Sequence, residues 1–222
     1  MESWSEGARP LRVDAERNRR RIVEAATTAF AERGLDASLE DVANSAGVGI
    51  ATLYRRFPSR DHLIAACFER RLEDYARLAD EALAAADGWT GFVSYVDGIC
   101  SMQAADRGLK DVLTRTFPDA RALEGHRRRG YELSVRLIER AKAEGSLRSD
   151  LVTEDLVVLL MANAGVVQGC GDAAPDTWKR FVALLLDGCR NTSAGPLPPP
   201  PTPRQMIRAM RRLATPTSVR SV

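Results

Sequence analysis

The chain has 222 residues, of which 45% are hydrophobic and 28% charged, with a formal net charge of +2. That length can bury a sizeable core in one large or two small domains, and the near-neutral balance does not by itself predict a nucleic-acid partner. Cys67, Cys100, Cys170 and Cys189 are widely spaced, with no C-x-x-C and no histidine pairing, which excludes a zinc-finger pattern and a disulfide framework. The opening stretch MESWSEGARP is acidic and polar, unlike a secretory leader, and the longest apolar run, Leu156–Ala162, is too short to span a bilayer. These features predict a cytoplasmic protein with reduced thiols and no membrane partner. No segment alternates with period two over strand length, so an all-α fold is expected.

Residues 1–16 read as a flexible N-terminal arm. Arg17, Arg19, Arg20 and Arg21 then open a helix whose apolar stripe is Ile22, Ala25, Ala26, Ala29 and Phe30, with Gly34 as its stop. Cations at a helix N-terminus oppose its dipole, a penalty that a nearby phosphate backbone would remove. Ser38 suits an N-cap, with Asp41 three residues on. Leu39, Val42, Ala43 and Ala46 share one face, Gly47 permits a left-handed turn, and Val48 seals the corner. A second short helix follows, with Leu53 and Phe57 inward at i, i+4, and ends before Pro58. Its outward residues are Ile50, Ala51, Thr52, Tyr54, Arg55 and Arg56. Two short helices around a glycine fit a helix-turn-helix whose second helix enters the major groove, with hydroxyls and guanidinium groups offered to phosphates and base edges. A plain surface hairpin with solvated arginines has the same bare pattern.

The segment from about Arg17 to Leu63 resembles the DNA-binding domain of the TetR (tetracycline-repressor) family of bacterial regulators. The matching residues are Ile22, Ala25, Ala26, Phe30 and Gly34; Val42, Ala43, Ala46, Gly47 and Val48; Thr52, Leu53, Tyr54 and Phe57; then Ser59, Arg60 and Leu63. Gly49 stands where the family commonly has Ser, which removes an N-cap and a phosphate contact, and Arg56 stands where His is frequent. The resemblance implies a phosphate contact at Arg60. Together with the residues above, it gives Arg17, Arg20, Ser38, Ile50, Ala51, Thr52, Tyr54, Arg55, Arg56 and Arg60 as candidate DNA contacts.

Beyond this head, which the reading bounds at residues 17–63, Ser59 caps a long helix carrying Leu63, Ile64, Cys67, Phe68, Leu72, Tyr75, Leu78 and Leu83, ending near Gly88. Further helices are expected at 89–105, 106–117, 119–144, 153–170 and 175–189, making residues 64–192 a helical ligand-binding and dimerisation domain. The stretch Leu156–Val167 is apolar nearly all round, and Gly165 and Gly169 would let another helix approach. The family resemblance implies a homodimer built from the helices near 153–170 and 175–189, reading a palindromic double-stranded operator. It also implies a small-molecule effector pocket, for which the candidates are Trp89, Phe92, Met102, Phe117, Tyr131, Met161, Asn163 and Gln168.

Residues 193–222 read as a Pro-rich linker followed by a basic tail, expected to be disordered. The tail holds five arginines and no acid from Ala194 onward, and Arg204–Leu213 could form one amphipathic helix. Such a tail could add non-specific DNA affinity. His62 and His126 are the only histidines, and there is no nucleophile motif, metal-ligand spacing or phosphate loop. No catalytic residue, metal or cofactor is therefore expected, and an enzyme with a helical body is the disfavoured class. The expected function is a ligand-responsive transcriptional regulator, a repressor released by its effector; the alternative is a nucleoid-like or partner-controlled DNA binder without one.

Overall fold

The computed structural model describes residues 8–115, 117–191 and 195–214, so the parts of the expected arm and tail at residues 1–7 and 215–222 lie outside the described residues. Helix α1 (Ala8–Arg33) begins within the expected arm, which places Arg17, Arg19, Arg20 and Arg21 inside the helix, clear of its first turn. The dipole penalty read for these arginines therefore does not arise, because it is confined to the first turn. Ile22, Ala26 and Phe30 from α1 are fully buried. They meet α2 (Leu39–Ser45) and α3 (Ile50–Arg56) in a three-helix head with Leu35, Val42, Ala43 and Leu53 at its centre. Ser38 Oγ accepts from Asp41 N at 3.2 Å, the cap expected for α2. Gly47 takes φ +62°, and a side chain there would also collide with the Arg21 guanidinium lying across the turn.

Helix α4 (Arg60–Leu83) runs out of the head and through the body. Phe68 stacks on Phe30 of α1 at 6.4 Å, while Leu72, Tyr75 and Ala79 are buried among body helices. The body adds α5 (Gly88–Ala105), α6 (Arg107–Thr114), α7 (Arg121–Ala143), α8 (Thr153–Cys170) and α9 (Thr177–Cys189), with a turn of 3-10 helix at Gly171–Ala173. Among the described residues no strand occurs, only an isolated antiparallel bridge between Leu147 and Arg190. Burial pushes the Cys67 thiol up to about 11 and the Cys100 thiol up to about 12, so both remain protonated at neutral pH.

Helix α8 extends the apolar run Leu156–Ala162. An 18-residue stretch within residues 153–173 reaches a mean hydropathy of 1.5, a length and composition that core helices also show. Gly, Asn and Gln interrupt the apolar run but leave the mean hydropathy high. The helix packs against α5 and α9. One side carries the buried Leu156, Leu159, Leu160 and Asn163, and the other is open at Val158, Gly165 and Gly169.

The largest difference is at the C-terminus. Residues 195–202 belong to no helix or strand, then α10 (Pro203–Ala214) folds back on the body. Met206 and Met210 are buried at 7% exposure each, and this apolar contact supplies the stability that so short a helix lacks alone in water. The helix has its own start signal, a reciprocal box in which Gln205 N donates to Thr202 Oγ1 and Thr202 N donates to Gln205 Oε1. Asp150 accepts from Leu197 N at 2.8 Å, and Arg148 Nη2 donates to Gly195 O, pinning the linker to the body.

Helices α4 and α7 pack closely at Gly130, where an added Cβ would meet the Tyr75 ring. Gly130→Ala is expected to destabilise the fold by about 1–3 kcal/mol through overpacking, read as a lower denaturant midpoint at unchanged slope.

Candidate nucleic-acid interface and ligand cavity

Helix α3 turns only Leu53 fully inward. Ile50, Ala51, Tyr54, Arg55 and Arg56 are exposed and Thr52 is half-buried, as the spacing predicted. Tyr54 is 48% exposed, with its ring and hydroxyl open to solvent. Arg55 Nη2 donates to Thr52 Oγ1 at 3.4 Å, joining two of the candidate contacts. Gly49 caps α3 with no side-chain hydrogen bond, so the first amides of the helix stay available to an anion. Arg17 and Arg20 are exposed on α1, and Arg19 of the same helix lies over the Phe57 ring at 5.7 Å. Arg19 and Arg21, absent from the candidate contacts, thus reach the end of α3 and the turn before it.

Two candidates have structural duties. Ser38 is the α2 cap described above. Arg60 Nη1 donates to Leu35 O and to Ala37 O, both at 2.7 Å, so that α4 holds the loop between α1 and α2. The resemblance suggested a phosphate contact here; the geometry gives the guanidinium an internal role, because two buried-loop carbonyls need a donor.

The same loop is gripped from the body. Leu35 N donates to Asp111 Oδ2 at 3.3 Å, and Arg115 pairs with Asp36 at 3.1 Å and with Asp111 at 3.3 Å. Asp111 lies on α6 and Arg115 directly follows it. The start of α6 is fixed by Asp106, which caps it through Gly108 N and Leu109 N and pairs with Arg71 of α4 at 3.1 Å. Gly108 lies against Phe30 and Phe68 with no room for a side chain.

A cavity of about 370 Å³ opens between α4, α6, α7, α8 and α10. Leu113, Leu156, Leu160, Met206 and Met210 give it an apolar lining, and Arg127, Tyr131 and Glu154 contribute polar groups. Tyr131 donates to Glu154 Oε1 at 3.3 Å. Burial holds the Tyr131 phenol above its usual range.

Of the expected effector residues, Tyr131 alone lines this cavity. Phe92 and Phe117 are core, and Trp89 lies beneath Arg190 at 4.2 Å. Met102 and Met161 are half-buried, and Gln168 is exposed. Asn163 donates to Gln103 Oε1 at 2.9 Å, an intrachain partner for the polar group expected to need one. Helical spacing shows which residues are apolar, but not which side of a bundle stays unfilled. In the sequence Arg127 is hidden in a run of charges, and the α10 methionines in a segment expected to be disordered; the signal for the latter is the Thr202–Gln205 box.

An exposed helix with a hydroxyl-rich and basic surface, held on a three-helix head above a helical body with a cavity, defines a DNA-binding regulator of the helix-turn-helix class. The profile described as "Bacterial regulatory proteins, tetR family" matches residues 22–67, and that described as "Transcriptional regulator SbtR-like, C-terminal domain" matches residues 87–191. The chain belongs to the TetR family of transcriptional regulators. It is similar to the HTH-type transcriptional repressor KstR2 of Mycolicibacterium smegmatis, with 27% identity over 181 residues, covering 75% of this chain and 88% of that one. Among solved structures it shares its fold with the ketosteroid transcriptional regulator KstR2 of Mycobacterium tuberculosis. The TM-score is 0.58 at 18% identity, over 78% of this chain and 95% of that one. The regulator PfmR of Thermus thermophilus gives a TM-score of 0.57 at 19% identity, over 75% and 97%.

Arg60→Met is expected to cost the isolated protein about 1.5–3 kcal/mol, because charge-assisted hydrogen bonds to Leu35 and Ala37 are lost. Denaturation in the absence of DNA checks this; a side chain serving only phosphate would leave that stability unchanged.

Proposed function

We propose that this regulator is a homodimeric repressor, bound to a palindromic operator and released when a small molecule occupies the cavity walled by α10. The observation that carries this reading is the position of α6. Leu113 of this helix lines the cavity, and Asp111 of the same helix, with Arg115 just beyond it, holds Leu35 and Asp36 of the head. A ligand that repositions α6 changes where the head sits, and a rigid α4 carries the other side of the same movement. The size of the response is bounded by the ligand's differential affinity for the two arrangements.

Two reading heads at fixed separation are needed to recognise successive major grooves. The dimer surface is assigned to α8 and α9. Val158 and Leu184 are exposed at 45% and 63%, and open space faces Gly165 and Gly169, where a partner helix can approach. These apolar groups on adjacent helices suit a symmetric interface.

On each head, Thr52 and Tyr54 would hold phosphates, with Ile50, Ala51, Arg55 and Arg56 facing base edges and backbone. Arg17 and Arg20 would add phosphate contacts from α1.

Selection of bound sequences from random duplex DNA tests the reading, with recovery of a two-half-site palindrome expected. Binding without sequence enrichment would overturn it in favour of a nucleoid-like role. On the recovered operator, Tyr54→Ala should weaken all sequences alike, whereas replacing a base-reading arginine, Arg55 or Arg56, should cost about 1–3 kcal/mol and relax one position.

Leu184→Glu should place a charge in the dimer interface. Sedimentation is expected to show monomers, and operator affinity is expected to fall about tenfold or more.

A further inference from the structure

The cavity contains one polar group whose surroundings do not match its chemistry. The Arg127 side chain is 14% exposed. Its Nη1 donates to Val112 O at 3.4 Å, and among the described residues its Nη2 donates to the thioether Sδ of Met210, at 3.6 Å. Glu124 lies 4.0 Å away, and its Oε1 already accepts from Phe117 N at 2.9 Å. A buried guanidinium is stable when a carboxylate or several short acceptors match its planar fork, and a thioether is a weak acceptor. Desolvation by burial pulls the Arg127 pKa below its usual value, the direction that an adjacent anion reverses.

The other polar lining groups are bonded or open to solvent: Ser134 Oγ donates to Tyr131 O at 2.8 Å, and the Arg128 side chain is 79% exposed. Tyr131 donates to Glu154, and Arg128 reaches out of the cavity toward Glu132 at 3.9 Å. Most of the remaining wall is apolar, with Leu113, Leu156, Leu160, Met206 and Met210, and Thr153 adds a hydroxyl. We infer that the cavity takes an apolar molecule bearing a single carboxylate, which binds the Arg127 guanidinium in the place that Met210 Sδ now holds. This rests on the cavity being the effector site.

A monoanion is the match because one cation lacks a strong acceptor, while Glu124 and Glu154 in the same lining oppose a second negative charge. The volume equals about a dozen liquid-water volumes, at roughly 30 Å³ each. That suits a medium-chain body. Met210 sits on α10, so the carboxylate replaces a contact made by the C-terminal helix itself.

The test uses decanoate and 1-decanol, which share a chain length and differ in the head group. Calorimetric titration of the full-length protein is expected to show decanoate binding about tenfold or more tighter than decanol. Arg127→Met should erase that preference while retaining decanol binding. Equal affinity for the two probes in the unaltered protein, or binding of neither, overturns the inference without recourse to any variant. So does a preference that survives in Arg127→Met.

Operator binding at saturating probe separates this inference from the release mechanism. Arg127-dependent decanoate binding that leaves operator affinity unchanged overturns release alone. Operator release by decanol at as low a concentration as by decanoate overturns the carboxylate assignment alone.

Discussion

A single unbroken helix has to satisfy two hydrophobic cores. The first turns of α4 bury Leu63, Ile64 and Phe68 among α1 and its neighbours, and its later turns bury Leu72, Tyr75, Ala79 and Ala82 in the body. Neither end can rotate about the helix axis without moving buried side chains at the other, because close-packed interiors change between discrete arrangements rather than deform smoothly. The positions of the head loop, α6 and the cavity all follow from this constraint.

Around α4 the head is held by polar contacts as well as by packing. Arg60 grips the carbonyl side of the loop at Leu35 and Ala37, and Asp111 grips the Leu35 amide from the opposite partner helix. One short loop thus has its donors and acceptors divided between a helix that begins beside the head and a helix that touches the cavity. The exposed helix α3, in contrast, has few internal ties. Its Gly49 start lacks a side-chain cap, and Tyr54, Arg55 and Arg56 project from it. Firm support behind an exposed surface suits a recognition element, since a preorganised face loses less entropy on docking.

The head is legible in the sequence because its signals are local. Ser38, Gly47 and Pro58 punctuate it, and the apolar positions between them have helical period. The boundaries of the body helices are legible for the same reason. The cavity is not, because it is a property of how helices far apart in sequence fail to fill space. Met206 and Arg127 lie about eighty positions apart, yet line one hollow. Asn163 stands out in the sequence as an anomaly in an apolar helix, but its partner Gln103 emerges only from the packing of α8 on α5. The tail misleads because its composition, prolines and arginines, outweighs the weaker pattern of methionines spaced four apart.

The stretch before α10 has a further consequence. Its first residues are tied to Arg148 and Asp150, and from Leu197 to Pro203 the chain is dominated by prolines. Proline-rich chains favour the polyproline conformation and resist bending, so a spacer of this composition has a limited reach. Such a spacer gives α10 a high effective concentration at one cavity and almost none elsewhere. In the proposed dimer each subunit would then wall its own cavity with its own tail. Opening one site leaves the wall of the other in place, and any cooperation between the two must pass through the shared interface and the DNA.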